Sequence, residues 1–123
     1  MANTTLNFDN VRELGLKLPG VQESTAYGAP ALKVGKRLLT CIPTNRSAEP
    51  QSLLIRVDFD DRTELLNAEP DLYYVTGHYL GYSAVLVRFS RLTLDKLRDL
   101  LLMAHRFVTR GNLSKTSGRK RGR

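Results

Sequence analysis

The sequence predicts an α+β fold, and three observations support that class. In Gln51–Val57 and Tyr82–Phe89, apolar residues recur with the period of two that β-strands show. The dipeptide Gly35-Lys36 separates two further strand-like runs and indicates a β-hairpin. After Thr93, large apolar residues recur at helical spacing, which predicts a long amphipathic helix. A chain of 123 residues is large enough to bury a core without disulfides or metal.

The remaining elements are predicted from caps, turn residues and prolines. Asn7 is an N-cap candidate for a first helix that continues to about Leu16. The acidic run that begins at Asp58 suits the positive end of a second helix, which ends before Pro70. Thr93 caps the last helix, and Gly111 is a natural stop for it. The other expected segments are the strands Ser24–Tyr27, Ala31–Val34, Arg37–Ile42 and Tyr73–Thr76, with a loop at Gly77–Gly81.

The positive charge of the chain is concentrated at its C-terminus. The formal net charge is +7, and residues 112–123 contain five cations and no acid, which leaves +2 for the rest. A basic tail attracts any polyanion, whatever the folded part does. The alternative interpretation is a solubilising end without a partner. We therefore expect a single domain over residues 1–111, followed by a basic, disordered tail at 112–123.

No motif in the sequence indicates a metal, a cofactor or a catalytic centre. The single cysteine, Cys41, cannot form an internal disulfide, and its alternation with Leu39 predicts a small buried hydrophobe. His78 and His105 are not spaced with Cys41 as metal ligands or as a nucleophile and its base. The N-terminus has no signal-peptide pattern, and no apolar run is long enough to span a bilayer. We therefore expect a cytoplasmic protein with no membrane partner, cofactor, metal or enzyme activity.

Three segments together resemble the MmcQ/YjbR-like family. They are LPGVQESTAYGAPALKV, EPDLYYVTGHYLGYSAVLVRFS and LTLDKLRDLLLMAHRFV, and the resemblance covers residues 8–109. It implies a two-layer fold related to frataxin, with an antiparallel sheet of about five to six strands and helices packed on one face. The positions that match the family motifs are Pro19, Gly20, Tyr27, Gly28, Pro30, Lys33, His78, Tyr79, Tyr82 and Arg88.

The resemblance also implies a function, because members of this family are described as DNA-binding on the basis of a proposed double-wing arrangement. The chain departs from the family at Ala84, where many relatives carry tryptophan. A site that used this aromatic ring to stack a ligand or a base would be altered in this chain.

Strand alternation independently predicts a group of cations on one face of the sheet. If the helices cover the face that holds Leu53 and Val85, the opposite face carries Arg56 and Arg88. Two or three cations beside tyrosines suit phosphate contacts and base stacking, and they also suit a small anion or an acidic protein surface. In the alternative without a ligand, these arginines pair with Asp58 or Glu69 on a solvated face. The full candidate set is Lys33, Lys36, Arg37, Arg56, His78, Tyr79, Tyr82 and Arg88.

These observations lead to one preferred function and two alternatives. The first hypothesis is a nucleic-acid-binding module that uses the basic sheet face and the hairpin, with DNA or another polyanion as partner. The second is a module that binds a protein or a small anionic ligand without catalysis. The third, an enzyme that uses His78, is the least favoured because no oriented partner for that histidine is visible.

Overall fold

A six-stranded antiparallel sheet forms the centre of the molecule. The computed structural model describes residues 5–117, and the side chains of residues 5–110. The strands within this range are β1 (Val21–Ala26), β2 (Ala29–Val34), β3 (Arg37–Cys41), β4 (Ser52–Arg56), β5 (Tyr73–Tyr74) and β6 (Ala84–Arg88). Their order in the sheet is β1-β2-β3-β4-β6-β5, and every neighbouring pair is antiparallel.

Within the described residues, three α-helices accompany the sheet, and each begins at a side-chain cap. They are α1 (Phe8–Gly15), α2 (Phe59–Ala68) and α3 (Leu94–Ser117). Asn7 accepts a hydrogen bond from the N–H of Asp9, and Asp58 accepts one from the N–H of Asp61. Thr93 accepts one from the N–H of Lys96 at 3.2 Å. The α+β fold with an antiparallel sheet is therefore confirmed.

The main hydrophobic core lies between the sheet and the helices. Helices α1 and α3 pack on the same face, with α3 crossing β2, β3 and β4. Burying each large side chain here stabilises the fold by about 1.5–3 kcal/mol before entropy is counted. The largest fully buried members of this cluster are Val11, Leu32, Leu39, Leu53, Ile55, Val57, Val85, Val87, Leu97 and Leu101.

Within the described residues, the opposite face of the sheet carries no α-helix and is covered by connecting segments, one of which contains the short 3-10 helix Gly77–Tyr79. Its buried residues are Ala31, Cys41, Leu54, Ala84 and Leu86, joined by Tyr79 from the segment between β5 and β6. Ala48, from the segment between β3 and β4, and Val75 pack against this second cluster. The middle of this face is therefore closed.

A β-bulge in β3 changes which residues face which layer. Lys33 pairs with Leu38 but Leu32 pairs with Thr40, so Leu39 is an extra residue in β3. Leu39 belongs to the helix-side core, whereas Leu38 and Cys41 belong to the opposite cluster. The prediction that Cys41 is buried is confirmed, but its predicted alternation with Leu39 is wrong because of this bulge.

Several element boundaries differ from the prediction. Strand β1 begins at Val21, three residues before the predicted start, because residues 22 and 23 are exposed on an edge strand and leave no alternating pattern. Strand β6 begins at Ala84 and not at Tyr82, and Gly77–Tyr79 forms a short 3-10 helix in the predicted loop.

Helix α3 continues through Gly111 to Ser117. The predicted stop at Gly111 is wrong because a glycine costs a helix only about 1 kcal/mol relative to alanine. The first six residues of the predicted tail are thus helical, and residues 118–123 lie outside the described range. Across the described residues, no helix has the length and apolarity needed to cross a membrane.

Candidate functional site

A groove of about 640 Å³ opens on the face of the sheet opposite α1 and α3. Pockets of this size accommodate small organic ligands. Its walls are the β1–β2 turn, the segment after β3 and the segment before β6, and its floor is the sheet. The groove is lined by Ala26, Tyr27, Leu38, Cys41, Ile42, Pro43, Thr44, Asn45, Leu54, Arg56, His78, Tyr79, Gly81, Tyr82, Ser83 and Ala84.

The floor of the groove is apolar and depends on the bulge in β3. Leu38 and Cys41 both reach the face opposite α1 and α3, because the extra residue, Leu39, turns to the core. Leu54 and Ala84 complete the floor from β4 and β6. Burial raises the pKa of Cys41 to about 11, so its thiol is protonated and unreactive at neutral pH.

Arg56 is the positive group in the wall of the groove. It is half-buried at the end of β4, where its Nε donates to the carbonyl oxygen of Ser83 at 2.8 Å and its Nη2 donates to the Ser83 Oγ at 2.9 Å. Its guanidinium carbon lies 5.4 Å from the centroid of the Phe107 ring on α3. These contacts fix the guanidinium in one position.

No carboxylate of the described chain pairs with Arg56. Burial, and to a smaller extent the positive charge of Arg37, lower the pKa of Arg56. A guanidinium stays protonated at physiological pH even so. The wall therefore contains a partly desolvated positive charge, which a bound anion would compensate.

Three aromatic rings from the segment before β6 form one side of the groove. The ring of His78 meets that of Tyr79 edge-on at 4.7 Å and that of Tyr82 at 6.0 Å. Tyr79 is buried, and its hydroxyl accepts a hydrogen bond from the N–H of Asn45. Tyr82 is 53% exposed, and His78 is exposed beside it. Tyr79 thus supports the other two rings, which face solvent.

Tyr27 stands at the rim formed by the β1–β2 turn. The turn consists of Tyr27 and Gly28, both with positive φ, at 54° and 81°. Its side chain is 92% exposed, although it lines the groove. A tyrosine that occupies a left-handed backbone position without packing is unusual, because that conformation is strained for residues other than glycine and asparagine.

Arg62 holds the aromatic segment in place. This buried residue of α2 donates through Nη1 to the carbonyl oxygens of Tyr82 and Ala84, and through Nη2 to that of Leu80. Its guanidinium carbon lies 4.8 Å from the Phe59 ring centroid. Arg62 was not among the predicted site residues, because a polar residue on a short acidic helix gives no signal that its partners are backbone carbonyls.

Arg88 lies on the same face as Arg56 but outside the groove. Arg56 is opposite Ala84 and Arg88 is opposite Ser52, so the two arginines are four residues apart along the strands, or roughly 13 Å. Arg88 forms a two-point ion pair with Glu49, both contacts being 2.9 Å, and stacks on Tyr74 at 4.5 Å. The predicted face is therefore correct, but the two arginines do not share a site.

The two acids that were expected to pair with Arg56 or Arg88 in the alternative without a ligand form ion pairs with other residues. Asp58 pairs with Arg110 at 3.0 Å, and Glu69 pairs with Lys96 at 2.7 Å. The suggestion that these two acids neutralise Arg56 or Arg88 is therefore wrong, because Arg88 uses Glu49 from the segment between β3 and β4.

The structure brings together one half of the predicted site residues. Arg56, His78, Tyr79 and Tyr82 line the groove. Arg37 lies close enough to Arg56 for its positive charge to lower the pKa of Arg56. The positive charge of Lys33 likewise acts to lower the pKa of Cys41, against the larger effect of burial. Lys36 is exposed at the tip of the β2–β3 hairpin.

Metal ligands are not clustered in the described residues. No group of three or more His, Cys, Asp or Glu there is arranged to hold an ion. The Nε2 of His105 instead lies 2.8 Å from the carbonyl oxygen of Pro19 and ties α3 to the segment before β1.

The fold and the groove define a class of small α+β domain in which connecting segments line a groove on one face of an antiparallel sheet. The chain belongs to the YjbR family, whose model matches residues 16–107. The crystal structure of the Deinococcus radiodurans protein DR2400, which has a DUF419 domain, is similar with a TM-score of 0.71 and 23% identity. That match covers 91% of this chain and 85% of the other. None of the proteins of curated function matches this sequence.

Proposed function

We propose that this protein is a non-catalytic binding module that holds a small anionic ligand in the groove. The observation that carries this proposal is Arg56, a half-buried guanidinium fixed by Ser83 in the groove wall and unpaired with any described acid. An apolar pocket with one fixed charge is the usual design of a small-ligand site, since the carbon surface supplies affinity and the charge supplies orientation.

The separation of the two arginines supports a pocket and not an extended basic surface. Arg88 is already neutralised by Glu49, and Leu54, Leu86 and Tyr79 close the sheet between the two arginines. A ligand that needed both charges would have to displace this packing. The positive charge that remains available is at the Arg56 end of the face.

The proposal is tested by titrating the full-length protein with inorganic phosphate, acetate and benzoate while its amide NMR signals are recorded. Binding at Arg56 is expected to shift the signals of Tyr82, Ser83 and Ala84, which surround the guanidinium. Arg56→Gln should abolish these shifts, whereas Arg91→Gln, which removes an exposed charge outside the groove, should keep them. The proposal fails if no probe shifts these signals, or if both variants respond equally.

A second candidate function is single-stranded nucleic-acid binding, and the cations beside the groove favour it. Lys33 and Arg37 lie on the two strands of the hairpin, and Lys36 is at its tip. Together with Arg56 and the exposed tyrosine rings, they offer phosphate contacts next to stacking surfaces, which is how such proteins bind a strand without base readout.

This second candidate is tested with single-stranded and duplex oligonucleotides over a salt series. The positive charge of residues 112–123 is removed in the full-length chain by changing five residues to glutamine: Lys115, Arg119, Lys120, Arg121 and Arg123. Binding that survives this change and is weakened by Lys36→Gln supports the candidate. Binding that disappears with the tail charges assigns the affinity to the tail alone.

A further inference from the structure

The backbone of the β1–β2 turn is strained at Tyr27, and packing of the side chain does not offset that strain. Two-residue hairpin turns in which both φ values are positive favour Asn-Gly, because asparagine and glycine tolerate the left-handed region. Here Tyr27 occupies the first position, at φ 54°, and Gly28 the second, at φ 81°. The Tyr27 ring is 92% exposed, so burial does not offset the strain.

Backbone strain of this kind is concentrated at residues that bind ligands, and Tyr27 lies at a position from which it could contact a ligand. The ring stands on the groove rim formed by the β1–β2 turn, while Tyr82 and His78 belong to the wall formed by the segment before β6. Tyr82 is itself 53% exposed. Two large rings are thus presented to solvent around an apolar floor.

The two exposed rings and the fixed charge select a ligand with two chemical parts. Aromatic side chains bind flat π-systems by stacking, and a guanidinium binds carboxylate or phosphate oxygens. We infer that the ligand joins a planar aromatic ring to an anionic group, with the anion on Arg56 and the ring against Tyr27 and Tyr82. This inference rests on the proposed anion site at Arg56 and adds the identity of the rest of the ligand.

The shared chemistry occurs both in nucleotides and in aromatic carboxylic acids. The test therefore uses two sets of probes with the full-length protein and isothermal titration calorimetry. In the first set, adenosine 5′-monophosphate is compared with adenosine and with ribose 5-phosphate. In the second, 1-naphthoate is compared with cyclohexanecarboxylate. In at least one set, the probe that has both parts is expected to bind about tenfold or more tightly than any probe that lacks one.

Substitutions at the rim separate the role of the ring from the role of the backbone. Tyr27→Asn keeps the left-handed turn but removes the ring, and is expected to weaken the preferred probe about tenfold. Tyr27→Phe keeps the stacking surface and should retain the affinity. Gln51→Asn is the matched control, because Gln51 has the same backbone conformation, at φ 59°, and lies outside the groove lining. It should leave binding unchanged.

Failure of this inference is distinguishable from failure of the anion site. If ribose 5-phosphate and cyclohexanecarboxylate bind as tightly as their aromatic counterparts, or if Tyr27→Asn and Tyr82→Ala bind as the unchanged protein does, the ring has no role. In that case Arg56→Gln would still abolish binding. If Arg56→Gln binds every probe normally, the anion site itself is wrong. A response to the nucleotide set alone, or to the carboxylate set alone, supports the inference and identifies the source of the ring.

Discussion

Replacing Tyr27 with asparagine should make the protein more stable while it weakens ligand binding. A left-handed backbone costs an ordinary residue roughly 1–2 kcal/mol, and asparagine tolerates it better than tyrosine does. Because the ring is 92% exposed, its removal loses almost no buried surface. We expect a net gain in the free energy of unfolding of about 0.5–1 kcal/mol.

The gain is large enough to measure. For a chain of this size, it corresponds to a rise in Tm of about 2–5 °C, and urea denaturation followed by circular dichroism gives the free energy directly. Gln51→Asn relieves the same conformation at φ 59° and should give a similar gain. A loss of stability in Tyr27→Asn, with the usual gain in Gln51→Asn, would refute the reasoning, since it would mean that the Tyr27 ring stabilises the fold.

Three further predictions concern groups that support the groove. Arg62→Ala should lower the free energy of unfolding by about 2–4 kcal/mol in urea, because it removes a buried guanidinium that donates to three carbonyl oxygens. Arg88 holds the pKa of Glu49 below its ordinary value, so the pair stabilises the fold at neutral pH and this contribution is lost as the pH falls through the lowered pKa. Glu49→Gln should therefore lose less stability between neutral pH and about pH 3 than the unchanged protein does. Burial raises the pKa of Cys41 to about 11, so a disulfide reagent at about pH 8 should label the folded chain more than about a hundredfold slower than the unfolded chain.

Each of these three predictions has an outcome that contradicts it. Arg91→Ala, which removes an exposed arginine, should change stability by less than about 0.5 kcal/mol, and an equal effect in Arg62→Ala would show that the carbonyl contacts are unimportant. Identical acid sensitivity in Glu49→Gln would mean that the ion pair does not stabilise the fold. Labelling of Cys41 at the same rate in folded and unfolded protein would place the thiol at the surface.

The fold was predictable where apolar residues recur in the sequence with the same spacing as the buried positions of the element. In β4 and β6, both faces are buried by different layers, so Leu53 and Val85 fall on one side and Leu54 and Leu86 on the other. The start of β1 was missed because an edge strand buries little. The bulge at Leu39 was missed because an extra residue changes the pairing and leaves no mark in the composition.

The sequence predicted the face of the sheet on which the candidate site lies, but not which residues of that face lie close enough together to form it. Alternation assigns Arg56 and Arg88 to the same side of the sheet, yet it says nothing about their separation along paired strands or about the segments that cover the space between them. The pairing of Arg88 with Glu49 joins positions 39 residues apart, and that distance in sequence hides the contact. Tyr27 appeared in a family motif, but its left-handed backbone conformation and the exposure of its ring are visible only in the folded structure.

The absence of an α-helix from the groove side of the sheet, within the described chain, has a consequence for how such a domain can diversify. The helical layer supplies most of the buried carbon, while the pocket is finished by a tight turn and two connecting segments. If the groove binds the proposed ligand, exchanging residues in those segments should change which ligand it accepts while the packing under α3 is kept. The proposed specificity and the folding of the domain would then be encoded by largely separate parts of one short chain.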